Sequence, residues 1–162
     1  MRCFMLILFA LTITACGGGS TSGVTAPDVS EVGQIDYSYL EGTYSLQSFS
    51  VTSDAGNYNQ TAFDSFDGTM TMTFINKSEG TYTQGLTVVV DGVVTSYNDF
   101  GTIVVNGDGT ITSTDADGES GTASFTYSGG TLTTTLSSTN SELGSFTETD
   151  VWVKTAAPSN NG

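Results

Sequence analysis

The side chains that could do chemistry in this sequence are almost all carboxylates. Seventeen Asp and Glu stand against three Lys and Arg, with no histidine at all, for a formal net charge of −14. Two groupings are conspicuous. Glu148 and Asp150 lie two residues apart near the end of the chain, and Asp115, Asp117 and Glu119 alternate through a glycine-containing stretch with Ser120 beside it. Residues at i and i+2 share one face of a strand, so Glu148 and Asp150 make a formal carboxylate pair of the kind glycoside chemistry uses. An edge or solvent-facing position is the simpler expectation for them. The alternating Asp115–Ser120 oxygens could hold calcium, but they miss the rhythm of an EF-hand loop, and acidic hairpin tips are ordinary in an acidic protein. No metal site is assigned there.

Other chemistries are excluded by residue type. Ser–His and Cys–His nucleophilic arrangements need histidine, and nearly every usual zinc site needs histidine or cysteine ligands. No catalytic residue and no cofactor is expected, and the chain reads as a non-enzyme. A surface this acidic repels phosphate backbones, whose binding depends on Lys and Arg, so nucleic acid is not an expected partner. The charge serves solubility instead.

The N-terminus carries an address. Met1-Arg2 is followed by an apolar run from Phe4 to Leu11 and then by small residues ending at Ala15. Charge, apolar core and small-residue exit are the order of a secretory signal peptide, and the run is too short for the ~20 residues of a transmembrane helix. Ile13-Thr14-Ala15-Cys16 resembles the lipobox of bacterial lipoproteins. That resemblance implies cleavage after Ala15, a diacylglycerol thioether on the Cys16 sulfur and acylation of the new amino group, the two signals that stable anchoring takes. Gly17 stands where aspartate is associated with inner-membrane retention, so the resemblance implies the outer membrane of a Gram-negative envelope. With Cys3 removed and Cys16 lipidated, no thiol pair remains for a disulfide. Residues 1–15 are therefore read as signal, 16–36 as lipidated cysteine and flexible tether, 37–156 as one domain and 157–162 as a disordered tail. Random-coil scaling gives the tether an end-to-end distance of about 25 Å.

The domain has a β composition: abundant Gly and Thr, ample aromatics and only two prolines. Tyr44 and Leu46, then Phe49 and Val51, alternate with polar neighbours, and the slip of phase near Gln47-Ser48 predicts a β-bulge on a bent first strand. Residues 54–67 read as a polar connection that Tyr58, Phe63 and Phe66 could pack as a lid or short helix. Met70, Met72 and Phe74 alternate with threonines on the clearest strand. Asp91-Gly92 and Asn106-Gly107-Asp108-Gly109 are hairpin turns. Between them, Asn98 and Asp99 are read as an interruption. Ala123, Phe125 and Tyr127, then Leu132 and Leu136, mark later strands, and residues 146–154 close the domain. About eight sequential antiparallel strands favour an up-and-down barrel, because closure removes both edges. A two-sheet sandwich is the alternative.

Leu40-Glu41-Gly42-Thr43-Tyr44-Ser45-Leu46 resembles the glycine-x-aromatic opening of bacterial lipocalin-like domains. The Gly-Asp-Gly-Thr-Ile-Thr and Gly-Gly-Thr-Leu-Thr runs and the closing Val151-Trp152-Val153-Lys154 are similar to the same families, over roughly residues 40–155. In lipocalins a tryptophan usually stands at the position of Tyr44, with an arginine packed over it. Here Lys154 is the residue that could cover Tyr44. The resemblance implies a barrel interior that takes a small ligand.

An eight-stranded barrel either fills itself or holds one small molecule. The inward set expected from phase is Tyr44, Leu46, Met70, Met72, Phe74, Tyr82, Leu86, Val88, Ile103, Val105, Ile111, Phe125, Tyr127 and Leu132. Tyr44, Met70, Met72, Phe74, Tyr82, Phe125 and Tyr127 are the candidate ligand contacts. The ligand expected is small, hydrophobic and neutral or cationic, since a buried carboxylate wants an arginine partner. A connected cavity of roughly 300 Å3 or more would mark a carrier. A filled core with an exposed apolar patch would mark a structural or protein-interaction lipoprotein.

Overall fold

The structure, a computed structural model, describes residues 35–140 and 143–156. The signal peptide, Cys16, the tether up to residue 34 and the tail beyond residue 156 lie outside the described residues. A short 3-10 turn, Ser38–Leu40, leads into nine strands: β1 Gly42–Ser53, β2 Gly56–Asn59, β3 Ser65–Phe74, β4 Glu79–Val90, β5 Val93–Val105, β6 Thr110–Asp115, β7 Ser120–Ser128, β8 Thr131–Asn140 and β9 Gly144–Ala156. From β3 to β9 every strand pairs antiparallel with its neighbour in sequence, and β1 pairs with both β3 and β9. Eight strands thus close into an up-and-down barrel. The sandwich alternative is set aside by the β1–β9 ladder, which runs from Thr43↔Ala156 to Ser53↔Phe146. β2 is a short flap that extends β1 beyond the ring.

Local chemistry explains the closure. The β1–β9 register shifts between Leu46 and Ser48, at the slip of phase legible in the sequence, so Leu46 and Phe49 both point inward on either side of a bulge that bends the strand. Where β1 crosses β3 the approach is so close that a Cβ on Gly68 would lie 2.7 Å from Leu46 Cβ; only glycine fits there. Asp91 and Gly92 both take positive φ, 52° and 75°, the backbone a two-residue hairpin turn demands. The connection 54–67 holds β2, a short 3-10 helix at Gln60–Ala62 of the kind expected there, and an early start to β3. Phe63 and Phe66 pack on Phe49, with ring centroids 5.2 and 5.5 Å away.

β5 runs unbroken through Asn98 and Asp99, paired with Gly85 and Gln84. The interruption expected there does not occur. Polar type alone does not end a strand whose ladder to one neighbour continues through it; pairing with β6 begins only beyond these residues, at Gly101↔Asp115.

The faces divide by hydration. All of the inward set named above belongs to one core cluster, with Phe74, Phe125 and Tyr127 partly buried against it. The outer face carries hydroxyl pairs across strands, including Thr43–Thr71, Thr87–Ser96, Thr112–Thr122 and Ser137–Thr147 at 2.9–3.2 Å. Such cross-strand pairs support the sheet.

Candidate functional site

The barrel interior has two unlike ends. At the first, the segment before β1 folds in as a plug. Tyr37 N–H donates to Lys77 O at 2.7 Å, and Tyr37 Oη donates to Asn106 O at 3.2 Å. Leu40 is wholly buried, and Tyr44 Oη donates to Leu40 O at 2.5 Å. Phe125 packs edge-on to Tyr37 at 6.2 Å, and Tyr127 lies 5.4 Å from Tyr39. Lys154 Nζ sits 5.8 Å from the Tyr44 ring centroid and donates to Tyr39 O at 3.1 Å, the covering role expected of it. Burial pushes the Tyr44 phenol well above its usual range, so it stays a neutral donor.

Beyond this plug the interior opens into a cavity of two adjoining lobes, each of about 210 Å3. One lobe reaches Met70, Met72, Ile103, Ile111 and Leu132. The other reaches Leu46, Phe49, Leu86 and the β6–β7 turn at Glu119 and Ser120. Tyr82, Gln84, Asp99, Ser113, Glu148, Asp150 and Trp152 line both. Each lobe alone is smaller than the roughly 300 Å3 of connected space expected of a carrier, and the two lobes share part of their walls.

The candidate ligand contacts therefore fall in two places. Met70, Met72 and Tyr82 are at the cavity wall. Tyr44, Phe125 and Tyr127 line neither lobe, because the plug occupies the space they face, and Phe74 packs against the core without lining either.

The larger departure is polar. Glu148 and Asp150 are not at an edge and do not face solvent; they point into the barrel. β9 is paired on both sides, with β1 and β8, and Phe146, Glu148, Asp150, Trp152 and Lys154 share its inner face. Phe146 and Trp152 are buried on that face. The two carboxyls are enclosed by the barrel and keep an intermediate exposure through the cavity they line. Desolvation, the neighbouring Asp150 charge and a hydrogen bond between the two push Glu148 up to about 8. Desolvation raises Asp150 to about 6, opposed by its hydrogen bond with Glu148. At neutral pH the pair accordingly holds one proton between its members.

Across the cavity, Tyr82 Oη donates to Asp99 Oδ2 at 2.6 Å. Burial and the adjoining Asp99 raise the Tyr82 phenol far above its usual range. Asp115 adds a further carboxyl at the wall, and its Oδ1 accepts the N–H groups of Asp117 and Glu119 at 2.9 Å each. That carboxylate is committed to shaping the turn. Among the described residues, no three acidic, histidine or cysteine side chains gather as a metal cluster.

No protein-family profile matches this sequence, and no curated protein matches it. Among solved structures, the chain is similar to the siderocalin Ex-FABP, described as functioning through dual ligand specificities, with 8% identity, 74% of this chain and 77% of that one covered, and a TM-score of 0.46. It is also similar to bovine odorant-binding protein in complex with undecanal, with 14% identity, 78% and 77% covered, and a TM-score of 0.48. At these scores the likeness bears on neither ligand nor role.

Proposed function

We propose that this barrel is a binding module for a small hydrophobic molecule, held at the cell envelope by a lipid on Cys16, and that it is not an enzyme. The observation that carries the binding reading is the cavity itself: a partly open space inside the barrel with Met70, Met72, Leu132 and Trp152 on its walls and several convergent polar groups, the usual make-up of a ligand site. Methionines give such a wall adaptable shape. The envelope reading rests on the signal-like N-terminus and the lipobox resemblance at Ile13–Cys16.

Trp152 is the only tryptophan of the chain and lines both lobes, so its fluorescence reports occupancy directly. Titration with octanol should change the emission saturably, with one site per chain. An emission that never changes, together with no heat of binding, would count against the module. For the anchor, mass spectrometry of the chain recovered from bacterial membranes should show a diacylated or triacylated cysteine that Cys16→Ala abolishes; an unmodified chain in the medium would contradict it.

A second reading is favoured by a separate observation. Val94, Phe100 and Val104 face outward on β5 and are 64%, 61% and 39% exposed. An apolar outer strip of this kind fits a protein-contact surface, and the barrel would then serve as its scaffold.

A further inference from the structure

The cavity's charge is uncompensated from within the protein. The described residues contain two lysines. Lys154 is at the plug, bonded to Tyr39 O and over the Tyr44 ring. Lys77 lies in the β3–β4 turn, where its field acts on Asp36. Neither lines the cavity, and no other basic side chain does. The titratable groups that do are Tyr82 from β4, Asp99 from β5, Asp115 from β6, Glu119 from the β6–β7 turn, and Glu148 and Asp150 from β9. β1 and β8, the strands packed on either side of β9, bring only Leu46, Phe49, Leu132, Thr134 and Leu136 to the wall, none of them titratable. A partly buried carboxyl pair aimed into a cavity whose other charged groups are also acidic lacks a positive partner, and desolvating an unpaired charge is costly. In the empty barrel a shared proton takes that partner's place.

We propose that the cavity selects a small organic amine in its ammonium form, its N–H groups donating to Glu148 and Asp150 and its hydrocarbon part lying against Trp152 and Met70–Met72. This rests on the reading of the cavity as a ligand site and names the ligand's class. An inorganic cation would leave the apolar wall unused, whereas an alkylammonium uses both. Of the neutral and cationic ligands expected from the sequence, the carboxyls inside the barrel favour the cationic one. Charge-assisted hydrogen bonds to a desolvated carboxylate are the strong ones, and the low-dielectric wall strengthens them.

Proton linkage follows. An alkylammonium stays protonated up to a pH near 10. Its arrival favours the fully ionised pair, so the shared proton leaves as the ligand enters. Affinity then rises with pH across the range in which the empty pair still holds that proton, and an uncharged ligand shows no such rise.

The test is calorimetric titration of the full-length chain with octylamine, octanol and octanoate, at pH 5 and pH 8. Octylamine should bind about tenfold or more tighter than octanol at pH 8, with octanoate weakest, and should weaken about tenfold at pH 5. Glu148→Gln and Asp150→Asn, each checked for folding by circular dichroism, should each lose the octylamine preference while retaining octanol. If one variant does not fold, the other and the wild-type pH dependence decide the matter. Octanol binding as tightly as octylamine, or octanoate binding best, would overturn the amine assignment and leave the hydrophobic site standing. Binding of none of the three would overturn both.

Discussion

The two ends of the barrel interior are built from the same alternation of inward residues and reach opposite outcomes. At the plugged end, Tyr37, Leu40, Tyr44, Phe125 and Tyr127 fill the space, and the hydroxyls of Tyr44 and Tyr37 are satisfied by Leu40 O and Asn106 O. Lys154 covers the aromatic cluster with its charge directed outward to Tyr39 O. At the cavity end β4, β5, β6 and β9 deliver Gln84, Asp99, Ser113, Glu148 and Asp150 to positions that a filled core would give to leucine. The plugged end is organised for stability, and the cavity end holds groups that cost stability unless something binds them.

That contrast predicts opposite responses to substitution. The largest effect should come from the plug: Leu40→Ala should destabilise the fold by roughly 2–5 kcal/mol, read as a lowered midpoint in urea, with ligand affinity of the folded protein unchanged. A cost below 1 kcal/mol would mean that the plug is not part of the core.

Next comes the carboxyl pair, where the sign reverses. Both folded pKa values lie above the ordinary carboxylate range, so between about pH 4 and pH 8 the folded chain keeps protons that the unfolded chain has released. Stability from this pair is therefore fully present in acid and is lost as pH rises. The double substitution Glu148→Gln, Asp150→Asn should stabilise the protein at pH 8 by roughly 1–3 kcal/mol and flatten the pH dependence of the melting temperature. Destabilisation at pH 8 would show that the pair has a positive partner in the empty protein.

A smaller loss is expected for Tyr82→Phe, about 1 kcal/mol from removal of the hydroxyl that donates to Asp99 Oδ2. The least should come from Lys154→Met, about 0.5 kcal/mol for the cation over Tyr44. The two together compare a polar contact at each end of the interior.

The barrel was legible in the sequence because its signals are local. Alternation along β3, the Asp91-Gly92 turn and the slip of phase in β1 each need only a few neighbouring residues to be seen. The plug was legible in part: Tyr44 and Lys154 were expected to meet, but nothing in the sequence says that Tyr37 and Leu40 turn back to occupy that end. The acidic interior was missed for a different reason. Glu148 and Asp150 are in phase with Phe146 and Trp152, as Asp99 is with Tyr97 and Ile103, and Gln84 with Tyr82 and Leu86. Phase alone would have turned all of them inward. Charge argued the other way, because an isolated buried carboxylate is so costly. The conflict between period and polarity was the available signal, and such conflicts gather at functional sites.

The central claim, that β9 carries its two carboxyls into the barrel, is tested most directly by following the side-chain carboxyl carbons of Glu148 and Asp150 by NMR across a pH titration. Inside the cavity, Glu148 should titrate well above the usual glutamate value of about 4.3, and its curve should be coupled to that of Asp150. Two independent transitions at ordinary carboxylate pH would place both groups in water and contradict the account.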